Sequence, residues 1–259
     1  MNGIRHFLLA LQFFTRVPVT GRLAQWVGFS PRMLQDSAAH FPAVGYLVGA
    51  VGAAVFAGAL AWWPPAVAAV LSTIATVLLT GAFHEDGLAD VADGLGGSPD
   101  RERALEIMRD SRIGAFGAIA LVLALALKLA LLTALAVQGA APAAIGIVAA
   151  HVLSRLAPLA VMRALPYVGG EGGKAKPMAE RVSGGALGIA VLWSLPVVAA
   201  AGCVHGPART VALLAVAAMA TWLLGRWFRA RLRGFTGDGL GATQQVCELA
   251  IYLALVARP

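Results

Sequence analysis

Six apolar stretches, near 42–62, 66–83, 115–137, 142–162, 185–204 and 208–227, are each close to the length of a membrane span, and a less clean seventh runs from about 238 to 256. A helix of about 20 residues crosses a ~30 Å hydrocarbon core. Lipid offers no partner to backbone N–H and C=O groups, so a chain of this pattern crosses as helices. The expected fold is all-α: a polytopic integral membrane helical bundle of about seven transmembrane helices, forming a single membrane domain over 1–259. Composition agrees, with only 13% charged residues against about 25% in soluble domains. The longest hydrophilic connection, 84–114, is too short for a soluble second domain.

Ahead of the first span, Ile4, Phe7, Leu8, Leu11 and Phe14 fall on one helical face. That face predicts an N-terminal helix lying in the membrane interface. Gln12 interrupts the apolar stretch and no small-residue cleavage site follows, so the segment is not expected to be a signal peptide.

The basic residues orient the bundle. The connections around 62–65 and 138–142 carry no Lys or Arg, while 16 of the 20 lie on the other side. The positive-inside rule then places the loops 84–114, 163–184 and 228–238 in the cytoplasm. The net charge of +7 reflects this bias; no nucleic-acid-binding motif accompanies it and no nucleic-acid partner is expected. Cys203 and Cys247 lie far apart and suggest neither a disulfide framework nor a zinc site.

Chemistry concentrates on the predicted cytoplasmic side. In "FHEDGLADVADGLGG" (83–97) four acids fall within nine residues, and no Lys or Arg stands between 84 and 100. Asp86, Asp90 and Asp93 are spaced i, i+4, i+7, which on a continuing helix puts three carboxylates on one stripe. Such a stripe repels itself unless a cation sits on it. Mg²⁺ typically takes one or two carboxylates together with substrate phosphates. The plainer alternative is a solvated, acidic helix end.

"SPDRE" (98–102) reads as a helix start with Ser98 as N-cap, and that helix is expected to run to about Asp110. Its end, "RDSRIG" (109–114), sets Asp110 and Ser111 beside Arg109 and Arg112, whose planar forks suit phosphate. Either arginine could instead be a membrane-topology anchor. Lys174 and Lys176 in the Gly-rich 167–183 segment fit a loop over an anionic ligand. Near the last helix, Thr236, Asp238, Gln245 and Glu248 form a further polar group. Glycines at 237 and 241 permit close backbone approach to a ligand or to another helix. Glu248 sits at membrane depth, where acids are functional suspects, and Lys128 or Arg155 can neutralise it.

"FHEDGLADVADG" (83–94), "LEIMRDSRIGAFG" (105–117) and "TGDGLGA" (236–242) resemble the signature segments of the cobalamin synthase family. "FFTRVPV" (13–19), "HFPAVGYLVG" (40–49) and "GKAKPMAERVS" (173–183) extend the resemblance across nearly the whole chain, in order. It implies an adenosylcobinamide-GDP ribazoletransferase of the bacterial inner membrane, multi-pass, with its active site on the cytoplasmic side and Mg²⁺ as cofactor. Such an enzyme joins α-ribazole, or its 5′-phosphate, to adenosylcobinamide-GDP and releases GMP.

The implied partners are those two substrates, membrane lipid, a second copy of the chain and other cobalamin-pathway enzymes. Asp86, Asp90, Asp93 and Asp110 are then the expected metal ligands. Arg109, Ser111, Arg112, Lys174, Lys176, Thr236, Asp238, Gln245 and Glu248 are the expected substrate contacts. His84, or one of the aspartates such as Asp86, would take the ribose hydroxyl proton. Two rivals remain at this point: a CDP-alcohol-type phospholipid synthase, whose Asp-Gly-x-x-Ala-Arg pattern breaks at Asp90 after Asp86-Gly87 and lacks its arginine, and a cation transporter, whose acids should lie nearer the bilayer midplane.

Overall fold

The computed structural model describes residues 2–170 and 182–257. In chain order the helices are α1 Asn2–Phe14, α2 Gly21–Val27, α3 Pro31–Asp36, α4 Phe41–Leu60, α5 Pro65–Thr80 and α6 Phe83–Gly97, then α7 Arg101–Ile107, α8 Ala115–Ala136, α9 Ala140–Ala164, α10 Gly184–His205, α11 Pro207–Leu232 and α12 Gly237–Val256. A 3₁₀ turn, Ser37–His40, joins α3 to α4 into one span from Pro31 to Leu60. Among the described residues six helices are long and apolar enough to cross a membrane, and the bent pair α5–α6 raises the number to seven. The protein is an all-α, multi-pass membrane bundle, as the hydropathy pattern implied.

Burial sorts the spans into a centre and a ring. In α9 and α12, 78% of the apolar window is buried, whereas the figure is 22% in α8 and α10 and 11% in α11. The latter three present Leu, Val and Trp outward, the arrangement lipid requires. The two central helices carry polar side chains inward and so bear the site.

The expected span at 66–83 ends early. α5 stops at Thr80 and α6 leaves it at 89°. Its 16 residues reach roughly 24 Å at 1.5 Å per residue, short of a ~30 Å core. Two successive left-handed residues make the bend, Gly81 (φ 66°) and Ala82 (φ 57°). Glycine adopts that conformation freely, while alanine does so at a cost of about 1–2 kcal/mol. The connection after α1 holds the break: Arg16 N–H donates to Leu79 O at 2.8 Å, and the Arg16 side chain packs on Gly81. The acidic segment is thus a separate helix laid across the bundle, not the continuation of a membrane helix.

Other boundaries shift in the same sense. Most of 84–114 is α6 and α7, and α11 persists to Leu232, so four residues, 233–236, connect it to α12. α7 begins at Arg101 and ends at Ile107; its N-cap is Asp100, whose Oδ1 accepts from Arg103 N–H at 2.8 Å, while Ser98 Oγ accepts from Asp100 N–H. In α1 the expected interfacial face divides. Ile4 is exposed, but Leu11 and Phe14 are buried with Leu9 and Ala10, so the second half of α1 is part of the core.

Candidate active site

α6 and α12 cross closely, and that contact builds the site. A Cβ on Gly87 would stand 2.8 Å from Asp238 O, and one on Gly241 would stand 3.3 Å from His84 O. Gly241 on α12 and Gly87 on α6 therefore serve helix packing, and the packing delivers Asp238 to the face of α6 that carries Asp86 and Asp90. Thr236 caps α12, its Oγ1 accepting from Gly239 N–H at 3.0 Å. A short parallel bridge, Val168 N–H to Phe235 O and Phe235 N–H to Pro166 O, each 2.9 Å, brings Tyr167, Gly169 and Gly170 alongside Thr236.

These elements enclose a cavity of about 570 Å³. Asp86, Asp90, Asp238, Arg109, Tyr167 and Thr236 contribute its polar wall, and Phe13, Phe14, Phe41, Phe83, Leu105 and Met108 its apolar wall. His84, Arg155, Pro158 and Gln244 line it as well. The exposure of these residues gives the cavity a direction: Asp86 and Arg109 are exposed, whereas His84, Arg155 and Gln244 are at most 3% exposed and lie at its deep end. The His84 ring stacks on Phe14, with centroids 5.4 Å apart and planes 11° from parallel. Burial, assisted by the nearby Asp238 carboxylate and opposed by Arg109, raises the pKa of the Tyr167 hydroxyl, so it remains a proton donor at neutral pH.

The structure divides the predicted acidic stripe. Asp86 and Asp90 face the cavity, but Asp93 does not: its Oδ2 accepts from Gly114 N–H at 2.7 Å and its Oδ1 from Gly117 N–H at 2.8 Å. It serves the N-terminus of α8, where unpaired N–H groups and the helix dipole favour an anion. Asp110 is also turned elsewhere. Its carboxylate pairs with Arg112 at 2.7 Å on the surface, and the Arg112 hydrogen bonds and charge lower its pKa to about 2. Arg112, Ser111 and Asp110 are absent from the cavity wall, and only Arg109 of that group reaches it. Lys174 and Lys176 lie outside the described residues.

Beneath the cavity runs a buried polar network that the sequence disclosed only in part. Gln245 Nε2 donates to Glu85 Oε1 at 3.1 Å and to Gln244 Oε1 at 3.0 Å. Gln244 Nε2 donates in turn to Ser154 Oγ at 2.9 Å and Glu248 Oε2 at 2.8 Å. Lys128 Nζ stands 2.7 Å from Glu248 Oε1. Of the two candidate bases, Lys128 pairs directly with Glu248, while Arg155 acts on it only from farther away. Glu248 and Gln245 do not line the cavity; they hold Gln244, which does. Glu85, Ser154 and His151 gave no signal beyond their residue type, since their roles arise from helices 60 or more residues apart in sequence.

The carboxylates present fit a hard divalent cation in part. Asp86, Asp90 and Asp238 are oxygen donors on one cavity wall. Among the described residues, however, no three His, Cys, Asp or Glu side chains stand close enough to ligate one ion by themselves. A Mg²⁺ ion here would take one or two of these carboxylates and complete its shell with phosphate oxygens and water, its usual habit.

Comparison with known proteins gives the same direction. The family model described as cobalamin-5-phosphate synthase matches residues 6–256. The adenosylcobinamide-GDP ribazoletransferase of Polaromonas sp. is 53% identical over 97% of this chain and 96% of its own length. The enzymes of the same name from Albidiferax ferrireducens and Leptothrix cholodnii are 54% and 51% identical, again over at least 97% of both chains. No solved structure matches.

Proposed function

The chain belongs to the cobalamin-5-phosphate synthase family, and on that premise we propose that it transfers α-ribazole, or its 5′-phosphate, onto adenosylcobinamide-GDP with release of GMP. In this reaction a ribose hydroxyl oxygen attacks the phosphorus next to the cobinamide. The new O–P bond forms as the pyrophosphate P–O bond breaks, GMP leaves with that bond's electrons, and the hydroxyl proton passes to a base. One observation carries the reading: a single cavity joins a carboxylate wall and an Arg109 guanidinium to an aromatic wall. The first two suit a pyrophosphate and its counter-ion, and the third suits a benzimidazole.

Phosphoryl transfer is mostly positioning and neutralisation of charge. Arg109 presents a fork of donors to phosphate oxygens. Asp86, Asp90 and Asp238 would hold Mg²⁺, which when bound neutralises charge on the transferring phosphate. Phe13, Phe14, Phe41 and Phe83 exclude water around the acceptor base. Asp86 or His84 receives the hydroxyl proton; Asp86 is the better placed, because it stands exposed at the mouth while His84 is buried against Phe14. Helix α6, with this wall of the cavity, is assigned to the cytoplasmic face of the bacterial inner membrane on the strength of the basic-residue bias.

The test is direct. Purified protein in lipid, given adenosylcobinamide-GDP, α-ribazole and Mg²⁺, releases GMP at a rate that EDTA abolishes and Mg²⁺ restores. No GMP release with either acceptor would sink the assignment.

A further inference from the structure

Arg155 is in direct contact with no carboxylate among the described residues. It rises from the middle of α9, is 2% exposed, and what it exposes faces the cavity. Its Nη1 donates to His151 O at 2.8 Å and approaches His151 Nδ1 at 3.3 Å. Its Nε–H is buried without a partner. Among the described residues no Asp or Glu oxygen lies within 4.0 Å of the guanidinium; Glu248, held by Lys128, Gln244 and His151, and Glu85 act on its charge only from farther away. A buried guanidinium that lines a cavity, has no carboxylate in direct contact and keeps an unpartnered N–H is suited to an anion arriving from outside the chain.

We propose that Arg155, with Gln244 beside it, forms an anion subsite at the deep end of the cavity that takes the phosphomonoester of the acceptor nucleoside. The proposal rests on the reaction assigned above and names the form of its acceptor. Size decides which substrate enters. A cavity of about 570 Å³ is of the size that encloses ligands of a few hundred daltons. A benzimidazole riboside fits that class, and a corrinoid bearing a nucleotide does not. The donor therefore brings only its pyrophosphate to the mouth, where Asp86, Asp90 and Arg109 stand. With its reacting hydroxyl at the mouth, the acceptor must send its remaining polar end inward, and Arg155 meets it there. Phosphate is the group for which a guanidinium fork is suited.

The experiment compares kcat/KM for α-ribazole 5′-phosphate and for α-ribazole, in the wild type and in Arg155→Gln and Arg155→Lys, with the KM for adenosylcobinamide-GDP measured alongside. The wild type is expected to prefer the phosphorylated acceptor. In Arg155→Gln that preference falls by roughly 10- to 150-fold, the span that one charge-assisted contact supports. Arg155→Lys, which keeps the charge and loses the fork, falls in between. Equal losses on both acceptors, or a loss confined to the KM for adenosylcobinamide-GDP, would overturn the subsite.

Should Arg155→Gln fail to fold, the wild type still decides. Ribose 5-phosphate should raise its melting temperature and compete with the acceptor, whereas ribose should do neither. Equal behaviour of the two sugars would refute the proposal. A wild type that turns over yet shows no preference rejects the subsite alone, whereas a wild type that releases no GMP with either acceptor rejects the reaction itself.

Discussion

The carboxylate of Asp93 accepts the backbone N–H of Gly117 at 2.8 Å, across 24 residues of sequence. That contact separates Asp93 from Asp86 and Asp90, although the three share a helix stripe. Asp93→Asn should therefore destabilise the protein by about 1–3 kcal/mol, since it removes an anion from a helix N-terminus and weakens two charge-assisted hydrogen bonds. Asp86→Asn should leave the metal-free melting temperature equal or higher, because like-charge repulsion is relieved, while turnover collapses in both Asp86→Asn and Asp90→Asn. Melting and turnover of the three variants check this. A destabilised Asp86→Asn beside a stable Asp93→Asn would reverse the assignment.

Arg109 and Arg112 looked equivalent in sequence and are not equivalent in space. Arg112 is 87% exposed and holds Asp110, whereas Arg109 lines the cavity. Arg109→Ala is expected to lower kcat/KM for adenosylcobinamide-GDP by roughly 10- to 150-fold. For Arg112→Ala, whose exposed pair contributes little, the change should stay within about threefold. Steady-state kinetics with the nucleotide substrate varied distinguish them; equal losses would return Arg112 to the site.

The spans, the acidic segment and the polar start of α12 were all legible because each is written in consecutive residues. What stayed hidden depends on distant pairings. Hydropathy runs unbroken from 66 to 83, so nothing announced that Gly81 and Ala82 would turn the chain by 89°. Asp93 matched the stripe by spacing, and only the arrival of Gly114 and Gly117 diverts it. Arg155 could be read as a neutraliser of Glu248 until Lys128 was found 2.7 Å from that carboxylate.

The α6–α12 crossing leaves no room for a side chain at Gly87. Gly87→Ala would press a methyl group to 2.8 Å from Asp238 O, a backbone atom that cannot swing aside. Overpacking of this kind costs about 1–3 kcal/mol, and here the relief is to push α12 and Asp238 away from Asp86. Turnover should fall by more than the loss of folded protein explains, and Gly58→Ala, which meets open space, should be silent. A fully active Gly87→Ala would show that the spacing of the two helices does not set the site.

The assigned orientation can be checked with exposed positions alone. In a Cys203→Ser background, cysteines replacing Trp63 and Ala140 should react with an impermeant maleimide added to intact cells. Cysteines replacing Glu102 and Ser111 should react only after the membrane is opened. All four native side chains are exposed in the fold, as is Cys203. Labelling at 102 or 111 from outside would place the cavity mouth on the other face.

Lys128 and Glu248 form an ion pair whose side chains are 4% and 1% exposed, linking α8 to α12 at membrane depth. Removing either partner strands the other charge away from water, which costs about 3–5 kcal/mol in buried pairs. Lys128→Met and Glu248→Gln should each lower the melting temperature strongly, and the lysine loss leaves Glu248 in contact with Gln244 and with the His151 ring at 3.5 Å. Removing both charges together is different. In the double variant a methionine fills the space of the lysine, and the new amide oxygen still accepts from Gln244. Most of the stability should then return, and the double-mutant cycle should show a coupling well beyond the ~0.5 kcal/mol within which independent sites add. Simple additivity of the two losses would mean that the pair contributes packing alone, and that Gln244 owes its position to Ser154 rather than to the charge below it.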